Sequence, residues 1–360
     1  LSRPLLYFLC LLVAGSACDS SSEDPVFFEG TPRVPTCALT EQEIVNGGVG
    51  HDAIPVLTDP PMTTADDATY LADTDRILGF LVDGQAYAIP HNILWYHEIV
   101  NLNLPSLQLA VTYCPFTGTG MAFDRTVIQG NEFRVSGLLF QNNLIMFDEV
   151  NEESLWPQMS RRAECGPKLG ASLEMIPMLD IAWGRWKELY PSTHVSSRDT
   201  GYNLRYTSNT YPYGDYEVPE NDALLFEMDI DTRRPPKERL LGIPDNRLGG
   251  LALPLTELDN GESVNAVHTV TSMGAPVVFW ERKANSAMAY KPEANDQLLN
   301  FEVVDDEIVD IETGSTWTID GVAISGPLSG TRLEPIENSY IAFWFAWAAF
   351  HPETNIWTAN

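Results

Sequence analysis

Apolar residues along the chain come mostly in short runs closed by Gly, Asp or Asn, which is the pattern of a protein built from short strands. The apolar stretch 76–82 is followed by Asp83-Gly84 and a second apolar stretch at 86–89, so a tight hairpin is predicted there. Further strands are predicted near 108–113, 120–124, 132–139 and 144–148. Two segments differ. Leu179, Ala182, Trp183, Trp186 and Tyr190 recur at helical spacing, which predicts a helix over 178–190 with one core-facing side. The segment YIAFWFAWAAF within 339–350 is apolar all round. It predicts a second helix, buried on every side and lying between two halves of the molecule.

The two helical segments belong to a longer repetition. Arg76-Ile77-Leu78-Gly79 returns as Arg239-Leu240-Leu241-Gly242, and Ala88-Ile89-Pro90 as Ala252-Leu253-Pro254. Ser154-Leu155-Trp156 returns as Ser315-Thr316-Trp317, and Gly166-Pro167 as Gly326-Pro327, with offsets of about 160 to 167 throughout. The fold class expected is therefore α+β and mostly antiparallel β, made of two tandem related units with one helix late in each and a pseudo-two-fold relation. The units fall at 45–201 and 238–360. A polar, Pro- and Tyr-rich loop at 202–237 joins them, and long structured loops are often functional.

The first residues carry a different pattern. Arg3 precedes an apolar run from Leu5 to Val13, and Ala14-Gly15-Ser16-Ala17 leads to Cys18. Such a run is too short to span a bilayer and reads as an export signal over 1–17. Small residues directly before a cysteine resemble a lipobox, so Cys18 is the expected lipidation site and the lipid the expected link to a membrane. Residues 18–44 then read as a flexible tether. The expected location is a cell envelope.

Charge narrows the partners. There are 21 Lys and Arg against 50 Asp and Glu, a net charge of −29, which repels phosphate backbones and argues against nucleic-acid binding. With 44% apolar residues the chain is able to form a sizeable core. Of five cysteines, Cys10 lies in the leader and Cys18 carries lipid. Cys37, Cys114 and Cys165 remain, so one disulfide is possible and at least one thiol is left over.

Comparing the two copies sorts the candidate residues. Positions kept in both serve the fold, and positions found in one copy are freer to serve a site. His97 faces Gly261 in the alignment of the copies, His91 faces Leu255, and Cys114 faces Glu281. Cys114 ends an apolar strand and is followed by Pro115 and the turn Thr117-Gly118-Thr119-Gly120, which is able to aim several backbone N–H groups at one point. Cys114 with His97 is the candidate catalytic pair, as nucleophile and base, redox centre or soft-metal ligands. Tyr113, Thr117 and Gly118 are the neighbouring ligand contacts. The spacing predicts that the His97 ring and the Cys114 sulfur face one pocket and that the thiol pKa falls below its free value. The competing reading is a small buried hydrophobe and a satisfied core histidine. A second cluster, Arg198 and Asp199 in SSRDTG followed by Tyr213 in PYGDY, is able to clamp a carboxylate between aromatic walls. No CxxC pair, HxxxH, P-loop, G-x-S-x-G or dinucleotide fingerprint is present, so the sequence names no metal or cofactor.

The segments AIPHNILWYHEIVN, VTYCPFTGTGMAFDR, SLWPQM, SSRDTG, PPKERLLG and SYIAFWFAWAAFHP resemble the bacterial domain-of-unknown-function family 3179 over about residues 45–357. The resemblance implies an exported, often lipid-anchored protein and brings no established activity. The family pattern reads CPxCGTG. Here Cys114 matches its first cysteine and Thr117 replaces the second, which argues against a two-thiol redox cycle and leaves a one-thiol, metal or cofactor role for Cys114. Two functions of different class follow: a single-thiol or metal site at Cys114 and His97, or a non-catalytic lipoprotein that binds a ligand or partner through the 196–216 segment.

Overall fold

Asp83 and Gly84 take φ of 51° and 77°, the two left-handed positions of a tight hairpin turn. They join Arg76–Val82 to Gln85–Pro90 with Val82 opposite Gln85 and Ile77 opposite Pro90. This hairpin is the centre of a five-stranded sheet in a computed structural model that describes residues 36–148, 153–208 and 211–359. Leu179–Ala182 flanks it antiparallel, with Leu179 opposite Gly79. His194–Ser196 flanks the other strand in parallel. Helix α1 (His91–His97) follows the hairpin directly. The chain then forms a meander of Ile99–Asn103, Gln108–Cys114 and Thr119–Asp124, and a third sheet of Phe133–Phe140, Asn143–Asp148 and Ser154–Pro157. Helix α2 (Trp183–Leu189) is the last helix of this half.

The later half pairs its strands in the same order and sense. Arg239–Ile243 and Leu251–Pro254 form the central hairpin. Tyr340–Phe343 flanks it antiparallel, with Tyr340 opposite Gly242, and Asn355–Ile356 flanks it in parallel. A short α3 (Leu255–Leu258), a meander of Val264–His268, Val277–Glu281 and Ser286–Tyr290, and a sheet beginning at Phe301–Val304 follow before α4 (Trp344–Phe350). The fold is mostly β with antiparallel-rich sheets and four helices among the described residues.

The helices expected over 178–190 and 339–350 each divide in two. Their first residues, Leu179–Ala182 and Tyr340–Phe343, are strands whose backbones complete the sheet beside Arg76–Gly79 and Arg239–Gly242, and only the remainder turns into α2 and α4. The apolar run of the second segment lets both its strand part and its helical part be buried. Phe343 to Ala348 are buried in one cluster with Cys114, Met121, Phe133 and Trp156 of the first half. The halves also exchange hydrogen bonds, from Ala182 N to the Ala284 carbonyl and from Phe343 N to the Thr117 carbonyl, each at 2.9 Å.

Between Ser196 and Arg239 the described residues form neither helix nor strand, yet side chains fasten the segment down. Asn142 and Phe226 exchange two hydrogen bonds of 3.0 Å, and Lys237 Nζ donates to the carbonyls of Asn221 and Ala223 at 3.0 and 2.7 Å. Cys37 is disulfide-bonded to Cys165 and Ala38 N donates to the Glu164 carbonyl at 2.7 Å, so the chain is tied to the first half from residue 37 onward. The expected leader, Cys18 and the earlier part of the tether lie outside the described residues. No helix among the described residues is long and apolar enough to cross a membrane.

Candidate functional site

Antiparallel pairing of Ile99–Asn103 with Gln108–Cys114 sets Ile99 opposite Thr112, and Tyr113 N donates to the Glu98 carbonyl at 2.8 Å. The end of α1 therefore meets the end of the strand that carries Cys114. His97 and Cys114 nevertheless engage different partners. His97 Nδ1 lies 2.6 Å from the Pro55 carbonyl oxygen and Nε2 2.6 Å from the Tyr206 hydroxyl, which in turn contacts Thr200 Oγ1 at 2.8 Å. Burial lowers the imidazole pKa, so the ring is neutral and ties the 200–206 segment to α1. Cys114 is 1% exposed, and its Sγ points at the Asn142 carbonyl oxygen at 3.8 Å. Burial, helped by the Glu98 carboxyl, pushes the thiol up to about 11. The depressed thiol pKa expected from the sequence is thus reversed, because an apolar core surrounds the sulfur and no imidazolium faces it.

The turn after Cys114 is also occupied. A methyl group on Gly118 (φ 62°) would fall 2.8 Å from the Phe343 ring, so that ring covers the turn. Thr117 is fully buried: its hydroxyl meets Thr119 Oγ1 at 2.8 Å and accepts from Asn143 Nδ2 at 3.0 Å. Gln158 closes this network by accepting from Thr119 Oγ1 at 2.7 Å and donating to Thr112 Oγ1 at 2.8 Å. Thr117, which stands at the family's second cysteine position, serves as a link in that network.

The second cluster divides. Arg198 and Asp199 are exposed on their turn, where the Asp199 N–H donates to Ser197 Oγ at 3.1 Å and Arg198 acts electrostatically on the Tyr70 phenol. Tyr213 lies elsewhere, its ring 5.0 Å from Phe116 and 5.5 Å from Tyr211, close enough to Glu98 and Cys114 for their charges to act on its phenol. The thiol cluster and the loop cluster therefore meet through Tyr213, and Arg198 stands apart from them.

Tyr113 leads to a group of residues that the sequence analysis assigned to the fold or passed over. Its ring packs 4.2 Å from His91, and its phenol faces Asp180, Arg76, Arg239 and Glu217. Arg76 and Arg239 open the equivalent strands of the two halves, and both turn toward one carboxylate. Arg76 Nε and Nη2 donate to Asp180 Oδ1 at 2.9 and 2.7 Å, and Arg239 Nη2 approaches Oδ2 at 3.4 Å. Both guanidinium groups also reach the Asn285 carbonyl, at 3.0 and 3.4 Å. Burial works to raise the Asp180 pKa, but Arg76, His91 and Arg239 outweigh it and hold the carboxyl well below the usual range. His91 Nε2 is 3.1 Å from Asp180 Oδ1 but is aimed too poorly to count as hydrogen-bonded. Burial lowers the His91 pKa, while the neighbouring Asp180 carboxylate works to raise it.

Two cations thus share one buried carboxylate. Arg239 is the less satisfied: its two contacts are both 3.4 Å, burial followed by the Arg76 charge brings its pKa down to about 10, and its side chain keeps 21% exposure. A deeply enclosed guanidinium with that exposure lies in a recess reached by solvent. Trp95 Nε1 and Tyr211 OH are buried without a hydrogen-bond partner, their rings meet at 5.2 Å, and Tyr211 lies close enough to Tyr113 for the two phenols to act on each other. Glu98, with φ 56°, closes the end of α1, and burial raises its carboxyl to about 8. Asp180 stands where the later half has Ile341, and the comparison that had set Cys114, His97 and His91 apart would have found it too had it been extended to every charged position. No cluster of three or more His, Cys, Asp or Glu able to hold a metal ion occurs among the described residues.

The arrangement defines a mostly β protein in which one arginine from each half shares the buried Asp180 carboxylate beside Tyr113 and His91. Residues 51–354 match the family described as "Protein of unknown function (DUF3179)", and the chain belongs to it. No curated protein and no solved structure matches the chain.

Proposed function

We propose that this is an exported protein, anchored to a cell envelope through lipid on Cys18, that binds a small anionic ligand without covalent chemistry. The site is the recess lined by Arg239, Arg76, Tyr113, His91 and Tyr211. The observation that carries the reading is Arg239, an enclosed but solvent-reached cation whose protein contacts are both 3.4 Å, with the unpartnered Tyr211 hydroxyl and Trp95 N–H nearby. Buried polar groups without partners are rare in folded proteins and are satisfied by water or ligand. Arginine presents a fork of donors that suits carboxylate and phosphate. The thiol reading is set aside because it needs a reactive Cys114, and burial protects that sulfur.

Native mass spectrometry of the protein extracted from its own membranes tests both parts. A bound small acid should be seen with the wild type and lost in Arg239→Gln, and a diacylglyceryl mass should be present on Cys18 and absent in Cys18→Ser. Equal ligand occupancy in wild type and Arg239→Gln would remove the binding site, and an unmodified Cys18 in the membrane fraction would remove the anchor.

A further inference from the structure

A second basic cleft lies away from the recess. The turn after Ser154–Pro157 carries Arg161 at φ 55° and Arg162, and α4 of the other half ends on His351 beside them. Ser160, Arg161, Arg162, Ser172, Asn338 and His351 help to line a cleft of about 620 Å³. Arg162 is committed to Glu164 at 2.7 Å. Arg161 has no acidic partner among the described residues, and its Nε is buried without a hydrogen bond. His351 stacks on Trp347 at 3.9 Å, and its Nε2 meets the Tyr340 hydroxyl at 3.2 Å.

The other half shows how the same framework deals with a cation. Leu173 N donates to the Arg161 carbonyl and Leu333 N to the Gly321 carbonyl, each at 2.8 Å, and the bridge of Arg162 with Ser172 matches that of Val322 with Arg332. Arg161 therefore stands where Gly321 stands, Ser160 where Asp320 does, and Ser172 where Arg332 does. The residue closing α2 there is Tyr190, with φ −133°, as His351 closes α4 with φ −133°. Beside Gly321 the cation is neutralised by the protein itself, with Tyr190 reaching across from the first half. Arg332 Nη1 donates to the Asp320 carbonyl and Nη2 to Tyr190 OH, both at 2.8 Å, and Tyr190 OH donates to Asp320 Oδ2 at 2.5 Å. The first half keeps a cation and supplies a serine hydroxyl in place of the carboxylate.

We propose that the Arg161 cleft binds a small oxyanion, with the carboxylate or phosphate oxygens of the ligand taking the role that Asp320 plays in the other half. Arg161 would hold two oxygens in its fork, and the hydroxyls of Ser160 and Ser172 would donate to them. The strongly acidic chain makes the local charge decisive, because the cleft offers an unneutralised guanidinium next to a neutral imidazole. Burial followed by the Arg161 charge brings the His351 pKa down to about 4.

His351 is the reporter. Its neighbours are Arg161 and Arg162 from the turn, Glu164 paired to Arg162, and the Tyr340 phenol. An anion on Arg161 screens the repulsion and should raise the imidazole pKa. The full-length protein is titrated with sodium phosphate and with sodium acetate at constant ionic strength, and the imidazole signals are followed by NMR. One saturable response at His351 is expected, with its pKa moving up. Phosphate acting alone identifies a phosphate site, and both anions acting identifies a general oxyanion site. Ser160→Asp, which restores the internal carboxylate, should weaken binding about tenfold or more, the factor set by a charge-assisted hydrogen bond. Arg161→Gly adopts the residue found at Gly321, so its backbone suits the turn, and it should abolish the response. A His351 response unchanged in Arg161→Gly or Ser160→Asp, or none with either anion in the wild type, overturns the proposal. Because Arg239 is intact in both variants, these outcomes are independent of the recess.

Discussion

The Trp186 indole lies against the backbone of Gly79, so closely that a methyl group at Gly79 would fall 2.6 Å from its six-membered ring. Gly242 and Trp347 repeat the contact with a closest approach of 2.1 Å. Each indole N–H then donates to a threonine hydroxyl after the helix, Thr193 at 3.0 Å and Thr354 at 2.9 Å. These contacts press α2 and α4 onto their sheets and hold the preceding strands in register. In the first half that register sets Asp180 opposite Leu78, two residues from the strand end that carries Ala182 and Arg76. The geometry of the arginine recess therefore depends on a glycine.

Gly79→Ala and Gly242→Ala should each destabilise the protein by about 1–3 kcal/mol, the usual cost of overpacking a core. Urea unfolding reads the change as a lower midpoint at unchanged slope. A loss below about 0.5 kcal/mol, the level of a neutral surface change, would show that the indole moves aside.

Glu98 carries a pH signature. Its folded pKa is raised from 4.5 to about 8 by burial, so its contribution to stability is complete below the unfolded value and is lost as pH rises toward and through about 8. The wild type should therefore lose stability relative to Glu98→Gln between about pH 5 and 8, by at most about 1.4 kcal/mol per pH unit. Thermal melts of both proteins across that range test the sign. A constant difference between them would mean that the carboxyl is solvated.

Much of the framework was legible in the chain. The Asp83-Gly84 turn, the strands from Gln108 to Asp148 and the burial of Trp344 to Ala348 follow from turn chemistry and apolar runs that act locally. The failures are where two periods overlap. Leu179 and Ala182 fit the helical period, but their neighbours Asp180 and Ile181 are buried too, and sheet pairing took all four residues. Helix α1 was missed because its seven residues, HNILWYH, are too few to show a period. The recess was missed for a different reason. Arg76 and Arg239 look like fold residues because both copies have them, and only three-dimensional pairing shows that they converge on Asp180.

Cys114 should behave as a core thiol. With the thiol raised to about 11, alkylation in the native protein should be slow near neutral pH and should follow unfolding in urea. His97→Ala should leave its pH profile unchanged, since the imidazole contacts Pro55 and Tyr206. Fast native labelling that His97→Ala slows would restore the paired-site reading.

Asp180 supplies the last test, because among the described residues it is the one carboxylate that both recess arginines touch. Asp180→Asn leaves Arg76 and Arg239 facing each other in an enclosed site. Breaking a buried pair in this way costs about 3–5 kcal/mol, since the charges left behind have already lost their water. Two further results separate electrostatics from packing. First, adding Arg239→Gln removes one of the opposed cations, so the double variant should be more stable than the sum of the single losses predicts. Second, the folded Asp180 pKa lies below its ordinary 3.8, so its contribution is present above that value and is lost as pH falls through the folded pKa. The gap between wild type and Asp180→Asn should therefore narrow in acid. The comparison is made in a His91→Gln background, because Asp180 acts on the His91 imidazole, which would otherwise titrate differently in the two proteins. Chemical unfolding of the four proteins across acid and neutral pH measures all of this. Strict additivity, or a gap that does not narrow in acid, would show that Asp180 holds its neighbours by shape and that the two arginines do not compete for it.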